Sequence, residues 1–263
     1  MVAEHRREPG EEGGSRRAVV QPRRGMSELE DKTIVITGAA SGLGRAWAQG
    51  FLTEGAAVVA ADIDREGLEA VSAEGARTIP TDVANAEDVD RMLDFAVAQT
   101  GRVDVLFNNA GVGFRTRIED LDPGQFEAHV AIHLFGTVNG MRRVIPIMRE
   151  QGRGRIINTV SRAAEVAGPR GSAYAAAKAA LWAASRSAAQ EVADADILIN
   201  MLIPGPTNTA IWGRDMPELQ GAEVTYPTVR MLASLPRGGP TGTVFWDEKP
   251  YRLFHPDNAI PSF

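Results

Sequence analysis

Residues 32–52 read Lys32-Thr-Ile-Val-Ile-Thr37-Gly38-Ala-Ala-Ser41-Gly42-Leu43-Gly44-Arg45-Ala-Trp-Ala-Gln-Gly-Phe-Leu52, and this stretch decides the fold class. Its β-branched run, 33–37, has the length and composition of a buried strand. Gly38, Gly42 and Gly44 follow at a G-x3-G-x-G spacing, with Ser41 and Leu43 between them, and 45–52 continues directly as a helix. Glycines at such a junction permit a tight turn and let backbone N–H groups approach a pyrophosphate at the positive end of a helix. The spacing is not the GxGxxG fingerprint, and glycines also serve plain turns, so both readings stay open on the turn alone.

Outward from this unit, short β-branched runs alternate with longer helical stretches. Strands are expected at 33–37, 57–62, 77–81, 103–107, 155–160, 198–203 and 243–246, and the longest helices at 123–150 and 172–192. The rhythm predicts an α/β chain: a three-layer, doubly wound Rossmann fold around a central parallel sheet of about seven strands. Ligand is expected at the carboxyl ends of those strands. The second strand, Ala57-Val-Val-Ala-Ala-Asp62, ends in an acid 18 residues after Gly44, where a carboxylate accepts hydrogen bonds from an adenosine ribose. Such a carboxylate repels a 2′-phosphate, and Ser41 rather than an arginine stands beside Gly42, so NAD is favoured over NADP. The competing reading makes Asp62-Ile63-Asp64 a solvated strand end that caps the next helix.

The 263 residues are 44% hydrophobic and 24% charged, enough apolar material for one large domain, placed at 26–263 with an atypical tail from about 247. The absence of cysteine excludes disulfide scaffolds, thiol nucleophiles and Cys-type metal sites, and four histidines, His5, His129, His133 and His255, leave no expectation of a metal centre. A net charge of −6 argues against nucleic acid as a partner. No run approaches the ~20 apolar residues of a membrane span, and no apolar secretory region precedes the domain, so the expected location is cytoplasmic. Residues 1–25 carry six Arg and four Glu without hydrophobic periodicity and are expected to be a disordered arm, either a bland tail or a dock for an anionic partner. Met26 directly precedes the ordered pattern and is a candidate start of a shorter working chain.

Of 28 basic residues, 25 are arginine; Lys32, Lys178 and Lys249 are the only lysines. Lys178 stands four residues after Tyr174 in Ser172-Ala-Tyr-Ala-Ala-Ala-Lys, so both project from one helix face. A surface pair would explain the spacing, yet a lysine retained among so many arginines suggests a task for a compact ammonium. Acid/base work by tyrosine near neutral pH asks for a fall of ~3 pH units, worth ~4 kcal/mol, and an ammonium ~4 Å away at an effective dielectric of ~20 supplies that. Ser161, after the strand at 155–160, is placed to orient a substrate oxygen, although a lone serine there is usually a turn residue.

Taken together, the glycine turn, Asp82-Val83, Asn108-Asn109-Ala-Gly111, Ser161, Tyr174-x3-Lys178 and Pro204-Gly205 resemble the short-chain dehydrogenase/reductase family over roughly residues 32–209. The resemblance implies that Asp82 and Val83 hold the adenine, that Asn109 lies under the adenosine side, that Gly111 belongs to the cofactor-binding residues, and that Pro204, Gly205, Thr207 and Thr209 border the nicotinamide. It makes Tyr174 the general acid/base, Lys178 the holder of the nicotinamide ribose, and Ser161 the positioner of the reacting oxygen. It places His133 where the family usually has an asparagine that holds a water in a proton relay; the histidine either preserves that relay or is a packing residue. Family members often associate through the helices corresponding to 123–150 and 172–192, so a homodimer or homotetramer is expected.

For the substrate, Trp212, Met216 and Leu219 are candidates to cover an apolar ligand, and Phe114, Arg115, Arg162 and Arg170 lie near the expected pocket mouth. Those arginines either bind an anionic group or are solvated charges. Tail aromatics including Trp246, Tyr251, Phe254 and Phe263 pack on their own subunit, close a neighbour's site or anchor a partner. The expected function is NAD(P)-dependent interconversion of a secondary alcohol and a ketone. The alternatives are a non-redox net reaction such as epimerisation, cyclisation or elimination, or a dinucleotide-binding sensor.

Overall fold

The computed structural model describes residues 27–258; the arm expected at 1–25 and residues 259–263, Phe263 included, lie outside the described residues. Eight strands form one sheet: β1 (Thr33–Thr37), β2 (Ala57–Asp62), β3 (Arg77–Pro80), β4 (Val105–Asn108), β5 (Gly154–Thr159), β6 (Ile197–Leu202), β7 (Val244–Trp246) and β8 (Lys249–Tyr251), in the order β3-β2-β1-β4-β5-β6-β7-β8. The first seven are parallel, as the βαβ rhythm requires.

The eighth adds an antiparallel edge to the expected sheet of about seven strands. β8 turns back antiparallel on β7, pairing Trp246 with Lys249 across Asp247 and Glu248, whose φ values are 48° and 61°. A two-residue turn with both φ values positive matches the twist of a hairpin, but it usually announces itself by Asn or Gly, which are absent here. Pro250 sits on the outermost strand of the sheet, where its missing N–H is tolerated.

Among the described residues there are eight α-helices: α1 (Gly42–Thr53), α2 (Arg65–Ala73), α3 (Ala86–Thr100), α4 (Pro123–His129), α5 (Gly136–Gln151), α6 (Ala163–Val166), α7 (Ser172–Glu191) and α8 (Tyr226–Ser234). Strand side chains alternate between two cores. Ile34 and Ile36 meet Trp47 and Phe51 of α1 and Val229 of α8, while Val35 meets Met92 and Leu93 of α3 and Val144 of α5. Each fully buried aliphatic side chain of this kind contributes about 1.5–3 kcal/mol, which sets the strand register firmly.

The helix expected over 123–150 forms, with a change of winding inside it. Between α4 and α5, Val130–Phe135 forms a π-helical turn, whose wider winding retains the apolar pattern while rotating its side chains. It brings His129 and His133, both 1% exposed, to face each other as stacked rings with centroids 5.5 Å apart.

The chain winds one way from β1 to β2 and β3 and the other way from β4 onward. At that reversal the carboxyl ends of β1 and β4 part, leaving a crevice.

Candidate active site

The crevice is a cavity of about 780 Å³, running from the turn after β1 to the loops after β5 and β6. At one end the glycine turn enters α1. Gly42 has φ 52°, a left-handed conformation, and a Cβ on Gly44 would lie 2.2 Å from the Gly38 carbonyl oxygen. Gly44 therefore serves the close approach of α1 to the turn, and it stands behind the cavity wall; Gly38, Ser41, Gly42 and Leu43 line it. The positive end of α1 opens on this space.

Asp62 ends β2 at the same place. Its Oδ2 accepts from the Ala40 N–H at 3.0 Å and its Oδ1 from the Asp64 N–H at 3.0 Å, so the carboxylate is fixed between the glycine turn and the next loop. The helix-capping task falls to Asp64, which accepts from the Gly67 N–H at 3.1 Å, leaving Asp62 and Ile63 on the cavity. Asp82 and Val83 continue this wall; the Ala84 N–H donates to Asp82 Oδ1 at 2.9 Å.

Asn109 joins three strand ends. Its amide donates to the Thr37 carbonyl at 3.0 Å, and its carbonyl oxygen accepts from the Thr159 hydroxyl at 3.3 Å. Below it runs a buried ladder that sequence reasoning missed: Asn108 donates to Asn158 at 2.8 Å, and Asn158 donates to Ser185 of α7 at 2.8 Å. The ladder ties β4 and β5 to the helix carrying Tyr174 and Lys178. Satisfied buried amides of this sort fix relative position, because misplacing one leaves a buried polar group unpaired.

At the other end, Ser161, Tyr174, Lys178 and His133 meet on the cavity. Ser161 accepts from the Ala163 N–H at 3.1 Å and hydrogen-bonds the Tyr174 phenol. Burial pushes the phenol above the usual tyrosine range, opposed by that hydrogen bond and by the charge of Arg115. The Lys178 Nζ lies 5.7 Å from the Tyr174 ring centroid and donates to the Thr159 carbonyl at 2.7 Å. Lys178 is 3% exposed, and burial pulls its ammonium down to about 7.

His133 Nε2 lies 2.9 Å from the Val112 carbonyl, and its ring meets Tyr174 edge-on at 5.2 Å between centroids. Burial, followed by the charge of Lys178, holds the ring neutral well below the ordinary histidine range. No described protein group hydrogen-bonds its Nδ1. His129 backs it, 5.9 Å from the Tyr174 centroid. His129 carries no functional signal in the sequence, since a lone histidine on an apolar helix reads as packing.

The remaining wall comes from the loop after β6. Pro204, Gly205, Thr207 and Thr209 line it, and Gln220 pins the Pro204 carbonyl at 2.8 Å. Of the three residues expected to cover a ligand, Trp212 lines the cavity, whereas Met216 and Leu219 do not; the Met216 N–H is engaged by Asn208 at 2.9 Å outside it. Phe114, Arg115 and Arg162 also line the cavity, while Arg170 faces a separate groove. The tail packs on its own subunit: Tyr251 meets Trp246 at 5.6 Å and Phe254 meets Trp182 at 4.9 Å. Glu165, whose side chain is 1% exposed, clamps that tail by accepting from Tyr251, the Phe254 N–H at 2.8 Å and Asn258 at 2.7 Å.

Residues 32–219 match the family of short chain dehydrogenases. The chain is 40% identical over 199 residues to levodione reductase of Leifsonia aquatica, spanning 71% of this chain and 72% of that one. It is 37% identical over 218 residues to 3beta-hydroxysteroid dehydrogenase 2 of Eggerthella lenta, spanning 80% of each. The structure of a 3-ketoacyl-(acyl-carrier-protein) reductase from Brucella melitensis, complexed with NADH, superposes with a TM-score of 0.78 at 30% identity, covering 82% of this chain and 96% of the other. The chain belongs to the short-chain dehydrogenase/reductase family and is an oxidoreductase acting on alcohols or ketones. No described helix is long and apolar enough to cross a membrane, and no described cluster of His, Asp or Glu is suited to a metal.

Proposed function

We propose that this protein interconverts a secondary alcohol and a ketone with NAD as its preferred nucleotide, and that Ser161, Tyr174 and Lys178 carry the proton chemistry. The supporting observation is their convergence on one cavity whose opposite end holds the fixed carboxylate of Asp62.

The residues present fit a nicotinamide dinucleotide. Gly38 and Gly42 keep side chains out of the space beside the α1 amino end, Asp62 suits an unphosphorylated ribose, and Asp82, Val83, Asn109 and Gly111 form an adenosine wall. Pro204, Gly205, Thr207, Thr209 and Lys178 are the proposed holders of the nicotinamide half. Such a nucleotide, when bound, supplies or accepts the hydride.

Ser161 orients the substrate oxygen beside Tyr174. The phenol, held neutral by burial, donates its proton to that oxygen during reduction and recovers one from the carbinol during oxidation. Lys178, buried beneath it, offers a positive charge near neutral pH that favours the phenolate when the reaction requires it. His133 enters as a positioning residue: as a neutral ring it fixes the turn at Val112 and buttresses Tyr174. A relay through its imidazolium would work against both burial and Lys178. Exposed Phe135 and Val138, in the region expected to associate, support a homodimer or homotetramer. The proposed location is the cytoplasm.

The test follows the absorbance of the reduced nicotinamide across a panel of ketones and secondary alcohols, with each nucleotide in turn. Turnover with NAD or NADH exceeding that with the phosphorylated form is expected. Product formed without any change in nucleotide absorbance would replace this reading by a non-redox reaction.

A further inference from the structure

Resting on the alcohol–ketone reading, we propose that Arg115 is a specificity-determining residue that recognises a carboxylate on the substrate, so that the preferred substrates are hydroxy and oxo acids. The cavity is divided by charge. Its acidic lining residues, Asp62 and Asp82, both belong to the adenosine end, whereas the part around Tyr174 carries Arg115, Arg162 and Lys178 without an acid among its lining.

Two of those three cations are committed to the protein. Lys178 donates to the Thr159 carbonyl, and Arg162 binds Glu165 at 3.2 Å and lies over the rings of Trp246 and Tyr251. Arg115 has no hydrogen-bond or ion-pair partner among the described residues; its guanidinium lies over the Trp212 ring, with the guanidinium carbon 4.8 Å from the centroid. Stacking on an indole fixes the plane of a guanidinium and leaves its N–H edge free, and that edge matches a carboxylate bidentately.

Both supports of this stack are held. The Trp212 indole donates to the Thr207 carbonyl at 2.8 Å, and the Thr116 N–H donates to the Arg170 carbonyl at 3.1 Å. Gly113 lies so close to the covering loop that a Cβ there would fall 2.2 Å from the Ile211 carbonyl oxygen. The free cation thus stands at a set place across the mouth of the cavity, near enough to Tyr174 for its charge to act on the phenol. An anionic group in this position orients the substrate with its carbonyl toward Ser161 and Tyr174.

Two measurements test this on the whole protein with NADH present. Quenching of tryptophan fluorescence by benzoate and by benzamide compares an anion with a neutral isostere. Benzoate is expected to bind about fivefold tighter, the scale of a partly exposed ion pair, with the advantage lost in Arg115→Gln and largely kept in Arg115→Lys. The second measurement is the ratio of kcat/KM for oxo acids over their methyl esters, expected above one, falling in Arg115→Gln through KM, and falling with added salt. Equal binding of benzoate and benzamide, failure of benzoate to bind, or a preference unchanged by Arg115→Gln would overturn the proposal. If benzoate shows the Arg115-dependent preference while no ketone is turned over, the anion site stands and the redox reading falls.

Discussion

Lys178 should cost this fold stability that its removal returns. Its ammonium is 3% exposed with no carboxylate partner among the described residues, and burial lowers it from 10.5 to about 7. A shift of that size corresponds to about 5 kcal/mol of penalty for keeping the charge buried. Below pH 7 the lysine is protonated in folded and unfolded chains alike, and the whole penalty is present. Between about pH 7 and 10.5 the unfolded chain binds a proton that the folded chain does not, so wild-type stability rises with pH across that window. Lys178→Met removes the charge at similar length and also leaves the Thr159 carbonyl without its donor, a loss of about 1–3 kcal/mol. The net expectation is a variant about 2–4 kcal/mol more stable at pH 6, an advantage that vanishes by about pH 10, with turnover lost throughout. Urea denaturation of the nucleotide-free protein at the two pH values measures it. A variant less stable than wild type at pH 6, or one whose advantage is the same at both pH values, would refute the reasoning.

Other expectations concern residues around the same cavity. Asp62→Ala should raise the efficiency with NADP relative to NAD by about tenfold, since it removes the carboxylate that opposes a 2′-phosphate; an unchanged ratio of kcat/KM values would remove Asp62 from the cofactor site. His133→Asn should retain turnover and leave the pH–rate profile above pH 6.5 unchanged in shape, because burial holds the ring's pKa below that value; disappearance of an ionisation in that range would reinstate the relay. Glu165→Gln should cost about 2 kcal/mol and free the tail to limited proteolysis, because the amide keeps one acceptor oxygen and turns an NH2 donor toward a donor among Tyr251, Phe254 and Asn258; unchanged cleavage at 251–258 would remove Glu165 as the clamp.

The parts of this molecule legible in its sequence are those governed by local pattern. β1 and β2 occupy the bounds of their β-branched runs, and α7 begins at the expected Ser172. The expected catalytic and nucleotide-binding residues, Gly44 excepted, sit at strand ends and at fixed helical spacing and reach one cavity, whereas Met216, Leu219 and Arg170 do not. The features missed depend on distance or on winding. Nothing in the spacing of Asn108, Asn158 and Ser185 announces a ladder across two strands and a helix. The π-helical turn preserves the hydrophobic pattern of an α-helix, so the sequence does not mark it, and the i, i+4 spacing of His129 and His133 places them on one face without showing that the face meets Tyr174. β8 carries Lys249 and Pro250 and follows a turn without glycine, so composition reads it as tail.

The most direct test of the proposed chemistry is isotope tracing with NADH carrying deuterium at its transferable position, offered with a ketone that the panel identifies as a substrate. Wild-type protein should deliver the label to the carbinol carbon, one deuterium per nucleotide oxidised, and Tyr174→Phe should lower that rate by at least about a hundredfold while still binding NADH. Label absent from the product carbon, or transfer by Tyr174→Phe at the wild-type rate, would contradict the account.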